Sequence, residues 1–94
     1  MADAAGAVER EVEIVNRQGL HARPAMRLAD LLSNYQAEVR ISKGDRSADP
    51  RSVFEMMLLE APLGTRLKIV AKGTDAAAAV EAIAKLIADK FFED

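Results

Sequence analysis

Gly19-Leu20-His21-Ala22-Arg23-Pro24-Ala25 stands where an alternating stretch gives way to a helical one, and it holds the single histidine of a 94-residue chain. Upstream, Val8, Val12 and Ile14 fall on one face of an extended segment while Glu9, Glu11 and Glu13 fall on the other. That alternation predicts a strand from Val8 to Asn16, covered on one side only. Downstream, Ala22, Ala25, Met26, Ala29 and Leu32 recur at helical spacing, with Leu28 and Leu31 widening the stripe. The pattern predicts a helix from about Ala22 to Ser33, with Met26 and the leucines in the core. Glycine permits the sharp turn between the two, and only the first turn of a helix tolerates Pro24, because the missing N–H would have had no partner there. His21 therefore falls at a helix N-terminus.

Outward from this junction the same rules extend the fold. Ala37, Val39 and Ile41 alternate with Glu38, Arg40 and Ser42, and Lys43-Gly44-Asp45 supplies turn residues before a short extended piece, Arg46 to Ala48. Together they read as a hairpin. Thr65 to Lys72 is the last strand, with Leu67, Ile69 and Ala71 inward and Arg66, Lys68 and Lys72 outward, where they can pair with the acidic face of the first strand. Thr74 or Asp75 then caps a final helix running to about Phe91, whose buried face is Val80, Ile83, Ala84, Ile87 and Phe91.

Between the hairpin and the last strand lies the 52–59 helix. Ser52-Val53-Phe54-Glu55 reads as a capping box, in which Ser52 and Glu55 satisfy each other's end of the helix. Apolar residues surround its whole circumference, so it is either wholly buried by its neighbours or leaves part of that surface exposed. On the second reading Val53, Met56 and Met57 line one face and Phe54 and Leu58 another. The order strand, helix, two strands, short helix, strand, helix makes an α+β fold, an antiparallel sheet with one wet face and helices packed on the other. Residues 1–7 read as a loose tail and residues 8–94 as one domain, too short to hold a second core.

Composition narrows the function. With 13 Lys and Arg against 15 Asp and Glu, a net charge of −2 offers no general attraction for nucleic acid or an anionic membrane. The lack of cysteine excludes disulfides, thiolate catalysis and Cys-based zinc sites, and one histidine leaves little for another metal cage. No metal or cofactor is expected. Neither a signal peptide nor a membrane span is evident, which points to the cytoplasm.

What remains is the histidine. First-turn N–H groups and the positive end of the helix dipole make a place for an anion, and the Arg23 guanidinium can grip phosphate oxygens. Imidazole, with an unperturbed pKa of about 6.5, is a largely uncharged nucleophile at neutral pH and, once phosphorylated, a good leaving group. His21 can thus accept a phosphoryl group and pass it on, although an isolated histidine beside a turn also serves as a cap or a solvent-facing residue. A hydrolase with His21 as general base is a weaker reading, since no Cys, second His or Gly-Xaa-Ser-Xaa-Gly elbow supplies a nucleophile.

The seven residues Gly19 to Ala25 resemble the active-site signature of HPr, the histidine-containing phosphocarrier family of the bacterial phosphotransferase system. The resemblance covers Val8 to the C-terminus and implies a βαββαβα open-faced β-sandwich, a four-stranded antiparallel sheet with three helices on one face. It implies that phosphorylated enzyme I, charged from phosphoenolpyruvate, donates to His21 and that an EIIA-type domain takes the group away, without turnover by the carrier alone. Nδ1 of His21 is then the acceptor atom, with Nε2 left open by the sequence. Gly19, Gln18, Ala22 and Arg23 are the candidate phosphate-binding residues, and Leu20, Val53, Phe54 and Met57 the candidate partner surface of a monomer.

Ser52 aligns with the serine that an HPr kinase/phosphorylase modifies in some members, but Glu55 stands where glycine is frequent and would repel a phosphate there. Many members carry Asn three residues before the histidine, where this chain has Gln18, with Asn16 further back. Pro24-Ala25-Met26-Arg27-Leu28 and the acidic ending Phe91-Phe92-Glu93-Asp94 are similar to the nitrogen-regulatory branch, NPr. Sugar uptake and a regulatory relay are both compatible with these residues. A regulatory binding module, docking through the 52–59 helix without phosphoryl transfer, is the alternative from another class.

Overall fold

The computed structural model describes residues 7–93. In chain order the elements are β1 (Ala7–Glu13), α1 (Ala22–Leu32), β2 (Glu38–Lys43), β3 (Arg46–Ala48), α2 (Val53–Leu58), β4 (Arg66–Lys72) and α3 (Ala76–Ala88). A short turn, Lys90–Phe92, follows α3. The strands form one antiparallel sheet in the order β1-β4-β2-β3. The expected fold is thus present, with shifted boundaries: β1 stops at Glu13, short of the expected Asn16, because Asn16 opens the turn that Gly19 closes. Ala7, placed by sequence in the tail, pairs with Lys72 as the first residue of β1; the rest of the tail expectation lies outside the described residues.

Register explains which side is covered. Val39 and Val8 flank Ala71, and Ile41 flanks Ile69, so one side carries an aliphatic row on which the helices pack. Arg10, also on this side, is opposite Ile69 on edge strand β1 and escapes burial by reaching Glu81 of α3 at 2.8 Å. On the wet face Arg66 meets Glu11 at 3.5 Å and Lys68 meets Glu9 at 3.3 Å. All four side chains are at least half exposed, so each pair contributes no more than about 1 kcal/mol.

In α1 the stripe that reaches the core is narrower than its periodicity suggested. Pro24, Ala25, Leu28 and Leu32 are buried, whereas Met26 is 58 % exposed. Met26 falls at the margin of the stripe on the side of α2, where Met26 and Val53 line a common surface depression. The carbonyls at the end of α1 and just beyond it find a cation from far along the chain. Arg51 donates to Leu32 O at 3.1 Å, Tyr35 O at 2.7 Å and Ala37 O at 3.1 Å. Arg51→Ala should lower stability by roughly 1–2 kcal/mol in urea unfolding, and Arg51→Lys should recover less than half of that, because one ammonium cannot span three carbonyls as the guanidinium fork does.

Asp75 stands at the N-cap position of α3 without capping it. Its carboxylate accepts the N–H groups of Gln36 and Ala37 at 2.9 and 2.8 Å, tying the start of α3 to the loop before β2. The other end of α3 also departs from expectation, since the helix stops at Ala88 instead of running to Phe91. Lys90, Phe91 and Phe92 take φ of 59°, 56° and 62°, a left-handed turn that costs each about 1–2 kcal/mol. Complete burial of the Phe91 ring offsets much of this, contributing roughly 2–3 kcal/mol. The left-handed turn reverses the chain and brings Glu93 back over the start of α1.

Candidate functional site

The site begins with a turn in which Gly19 N–H donates to Asn16 O at 3.1 Å. Gly19 has φ +74°, and a Cβ there would lie 2.8 Å from both Ala61 O and Pro62 Cα, so both conformation and space demand glycine. Leu20 N–H then donates to Ala61 O at 2.9 Å, locking the loop against the strand connection. His21 follows as the N-cap of α1, in extended conformation, with its side chain 33 % exposed and its ring free of any cap bond. Its N–H donates to Gly19 O and its carbonyl accepts from Ala25 N–H. Pro24 has no N–H, so the amides of Ala22 and Arg23 are the first-turn donors left without an acceptor in the helix.

The ring of His21 faces a carboxylate. Nε2 lies 2.9 Å from Glu93 Oε1, and the same oxygen accepts from Asn16 Nδ2 at 3.1 Å. Arg23 Nη1 stands 4.0 Å from Glu93 Oε2. Asn16 is completely buried, and its Nδ2 also donates to Gly19 O at 2.7 Å, so one amide ties the turn to the acidic residue above it. Neither Asn16 nor Glu93 stood among the expected site residues. Their only sequence signals were the displaced asparagine and the acidic ending, and nothing local linked either to His21.

The bond from His21 does most to hold the Glu93 carboxyl below its ordinary value of 4.5; burial opposes it, while the Asn16 bond and the charges of His21 and Arg23 add to it. A carboxylate whose folded pKa is depressed stabilises the fold fully above its unfolded value and loses that contribution as pH falls through the folded value. Acidification below pH 4.5 should therefore loosen the 90–93 segment from α1. Side-chain NMR should show the Glu93 carboxyl titrating below the usual glutamate range, together with a change at the Asn16 amide.

The other expected residues divide. Gln18 is exposed and lines a small surface depression with Arg17, Arg23 and Glu93. Gly19 shapes the loop, but its amide is spent inside the turn. Leu20, expected on the partner surface, is only 7 % exposed and belongs to the core, because its backbone is clamped to Ala61 with the side chain turned inward. Phe54, at 72 %, Met57, at 44 %, and Leu58 are exposed, Val53 is half-buried, and Met56, expected beside Val53 and Met57, is completely buried. Lys43 donates to the Leu59 and Glu60 carbonyls, and Arg46 to that of Leu58, which ties the end of α2 to the hairpin.

Ser52 caps α2 by accepting Glu55 N–H at 3.1 Å, but only that half of the capping box forms. Ser52 N–H is already committed to Asp49 O, so the Glu55 carboxylate accepts Asp49 N–H at 2.8 Å instead. Among the described residues no three or more His, Asp or Glu side chains gather into a metal-binding group, and no helix is long and apolar enough to cross a membrane.

Residues 8–89 match the family described as PTS HPr component phosphorylation site. Phosphocarrier protein NPr of Shewanella violacea is 43 % identical over 86 residues, covering 92 % of this chain and 94 % of that protein. Phosphocarrier protein HPr of Cupriavidus necator is 34 % identical over 86 residues, covering 92 % and 97 %. Among solved structures, HPr-C-His from Thermoanaerobacter tengcongensis superposes with a TM-score of 0.88 at 32 % identity, covering 93 % of this chain and 98 % of that one. Sequence, sheet order and helix placement agree along almost the whole length, and the chain belongs to the HPr family of phosphotransferase-system phosphocarriers.

Proposed function

We propose that His21 is the residue that carries the phosphoryl group, taking it from enzyme I charged with phosphoenolpyruvate and yielding it to an EIIA-type domain in the cytoplasm. The observation that supports this most is the place of His21: its ring stands one-third exposed at the N-cap of α1. Glu93 meets the ring at Nε2, so the Nδ1 side is the one for a phosphoryl group in transit. The Ala22 and Arg23 amides, aligned with the positive end of α1, and the Arg23 guanidinium are the groups that steady its oxygens.

The exposed Phe54, Met57 and Leu58 of α2, with Met26 of α1, give both partners an apolar surface to dock on. Methionines there adapt to two different shapes. The greater identity to an NPr than to an HPr, 43 % against 34 %, favours the regulatory relay over sugar uptake. Ser52 acts as the cap of α2, and a phosphate on it would oppose the neighbouring Glu55.

Incubation with purified enzyme I and labelled phosphoenolpyruvate tests the proposal. Label on this chain that is lost in acid and survives base identifies phosphohistidine. Acid-stable label confined to Ser52 would overturn the reading.

A further inference from the structure

We infer that Asn16 is a positioning residue for His21: its side-chain amide fixes the peptide group between Gly19 and Leu20, and with it the backbone from which the imidazole is presented. This rests on the carrier role of His21 proposed above. Among the described residues Asn16 is the one polar or charged residue that is buried, and it is completely so. Its Nδ2 donates to Gly19 O at 2.7 Å and to Glu93 Oε1 at 3.1 Å. A carbonyl and an ionised carboxylate can only accept, so the amide nitrogen, not its oxygen, must face them. The oxygen, Oδ1, is buried without a hydrogen-bond partner among the described residues. An apolar side chain of the same size would avoid that desolvation, so packing does not account for an amide here; its N–H groups do.

The turn that carries His21 is suspended between fixed points. Before it, Ile14 is completely buried and is bonded through its N–H to Thr65 O and through its carbonyl to Gly64 N–H. After it, α1 begins at Ala22. Between them Gly19 has no Cβ to restrict its backbone, and φ +74° is one of several conformations open to it. Two bonds select this one. On one side of the peptide group Leu20 N–H donates to Ala61 O at 2.9 Å, and on the other Gly19 O accepts the Asn16 amide. Gly19 O also accepts His21 N–H at 3.0 Å, so the oxygen that Asn16 holds is the one to which the His21 backbone is bonded. Asn16 closes the turn a second time, since its own carbonyl accepts Gly19 N–H at 3.1 Å. Gln18, nearer to His21 along the chain, is exposed, and the inward position falls to Asn16.

Removing the amide cuts one of the two holds on that peptide group. The group can then rock about the remaining bond to Ala61, the His21 N–H follows its acceptor, and the ring is presented over a spread of positions. Transfer between two proteins is sensitive to such a spread, because a misplacement of about 1 Å at the reacting atoms is worth up to about a hundredfold in rate. Docking is not, because the exposed Phe54, Met57 and Leu58 of α2 and Met26 of α1 lie outside the turn. The signature of the role is thus a fall in maximal rate at an unchanged KM for enzyme I.

The test uses the full-length chain and enzyme I charged from phosphoenolpyruvate. Asn16→Ala should lower the maximal rate of acid-labile labelling roughly tenfold and leave KM for enzyme I within about twofold. Asn16→Leu, which restores the volume but no donor, should lose as much, and a leucine variant at the wild-type rate overturns the inference. Gly44→Ala, in the turn between β2 and β3, controls for lowered stability and should label at the wild-type rate; a loss there equal to that of Asn16→Ala overturns it as well. In a chain already carrying Glu93→Ala, Asn16→Ala should slow labelling further by a similar factor, because the amide acts through Gly19; no further loss would assign its role to the carboxylate and sink the proposal. One measurement needs no variant: the Asn16 side-chain amide protons of the wild type should exchange with water at least roughly tenfold more slowly than those of exposed Gln18, and equal exchange contradicts the bond to Gly19. A wild-type chain that takes no label overturns the carrier reading, whereas a labelled wild type with both Asn16 variants at full rate overturns this inference alone.

Discussion

His21→Ala is expected to take up no acid-labile phosphate from enzyme I, a loss of at least roughly a thousandfold, limited by the background of the assay. The chain has no second histidine and no cysteine to substitute for the imidazole. The fold should survive, because the ring is one-third exposed, makes no cap bond to α1, and lies outside the aliphatic core. A stability change below about 1 kcal/mol is expected, apart from the Glu93 contact. The same variant separates the carrier from a binding module that docks through α2. If His21→Ala binds its partners and restores function in cells lacking the native chain, the module reading stands and the relay fails. Loss of function with partner binding retained supports the relay.

Gly19→Ala should be the most damaging single methyl in this part of the molecule. Two separate costs fall on it. Alanine at φ +74° costs about 1–2 kcal/mol in backbone energy, and its Cβ would meet Ala61 O and Pro62 Cα at 2.8 Å, where the obstructing atoms are backbone and cannot swing away. The total should reach roughly 2–4 kcal/mol, lowering the melting temperature by about 10 °C or more for a domain of this size. Gly44→Ala is the matched control, since Gly44 has φ +60° but no atom within 4 Å of its added Cβ. The difference between the two variants measures the collision alone. Equal destabilisation would show that the loop can retreat from the strand connection. Because His21 lies two residues after Gly19 and Leu20 is clamped to Ala61, any such retreat should also slow labelling of His21.

The elements of this fold were legible because their causes are local. Alternation in Val39 and Ile41, or in Leu67, Ile69 and Ala71, reports which side of a strand meets oil and which meets water, and the register bears this out. The Gly19–Pro24 spacing likewise placed His21 at the start of α1, since both residues act on the backbone within a few bonds. Periodicity was less informative where a residue sits at the margin of a stripe. Met26 and Met56 have the same apolar character, yet one is exposed and the other sealed, because burial depends on which element lies across them.

What the chain's order of residues determined by itself was the succession of strands and helices, the glycine turn, and an imidazole at a helix N-terminus with Arg23 beside it. Only the tertiary structure decided what that imidazole touches. Glu93 is far from His21 along the chain and reaches it because buried Phe91 pulls three residues into left-handed backbone that no local propensity favours. Asn16 became the link because packing buried it between the turn and that carboxylate. Arg51 and Asp75 were redirected in the same way, away from their own neighbours and toward backbone groups left unpaired by other elements. The physical reason is common to all four: a buried or terminal polar group takes the partner that folding brings within reach, and the sequence near it does not name that partner.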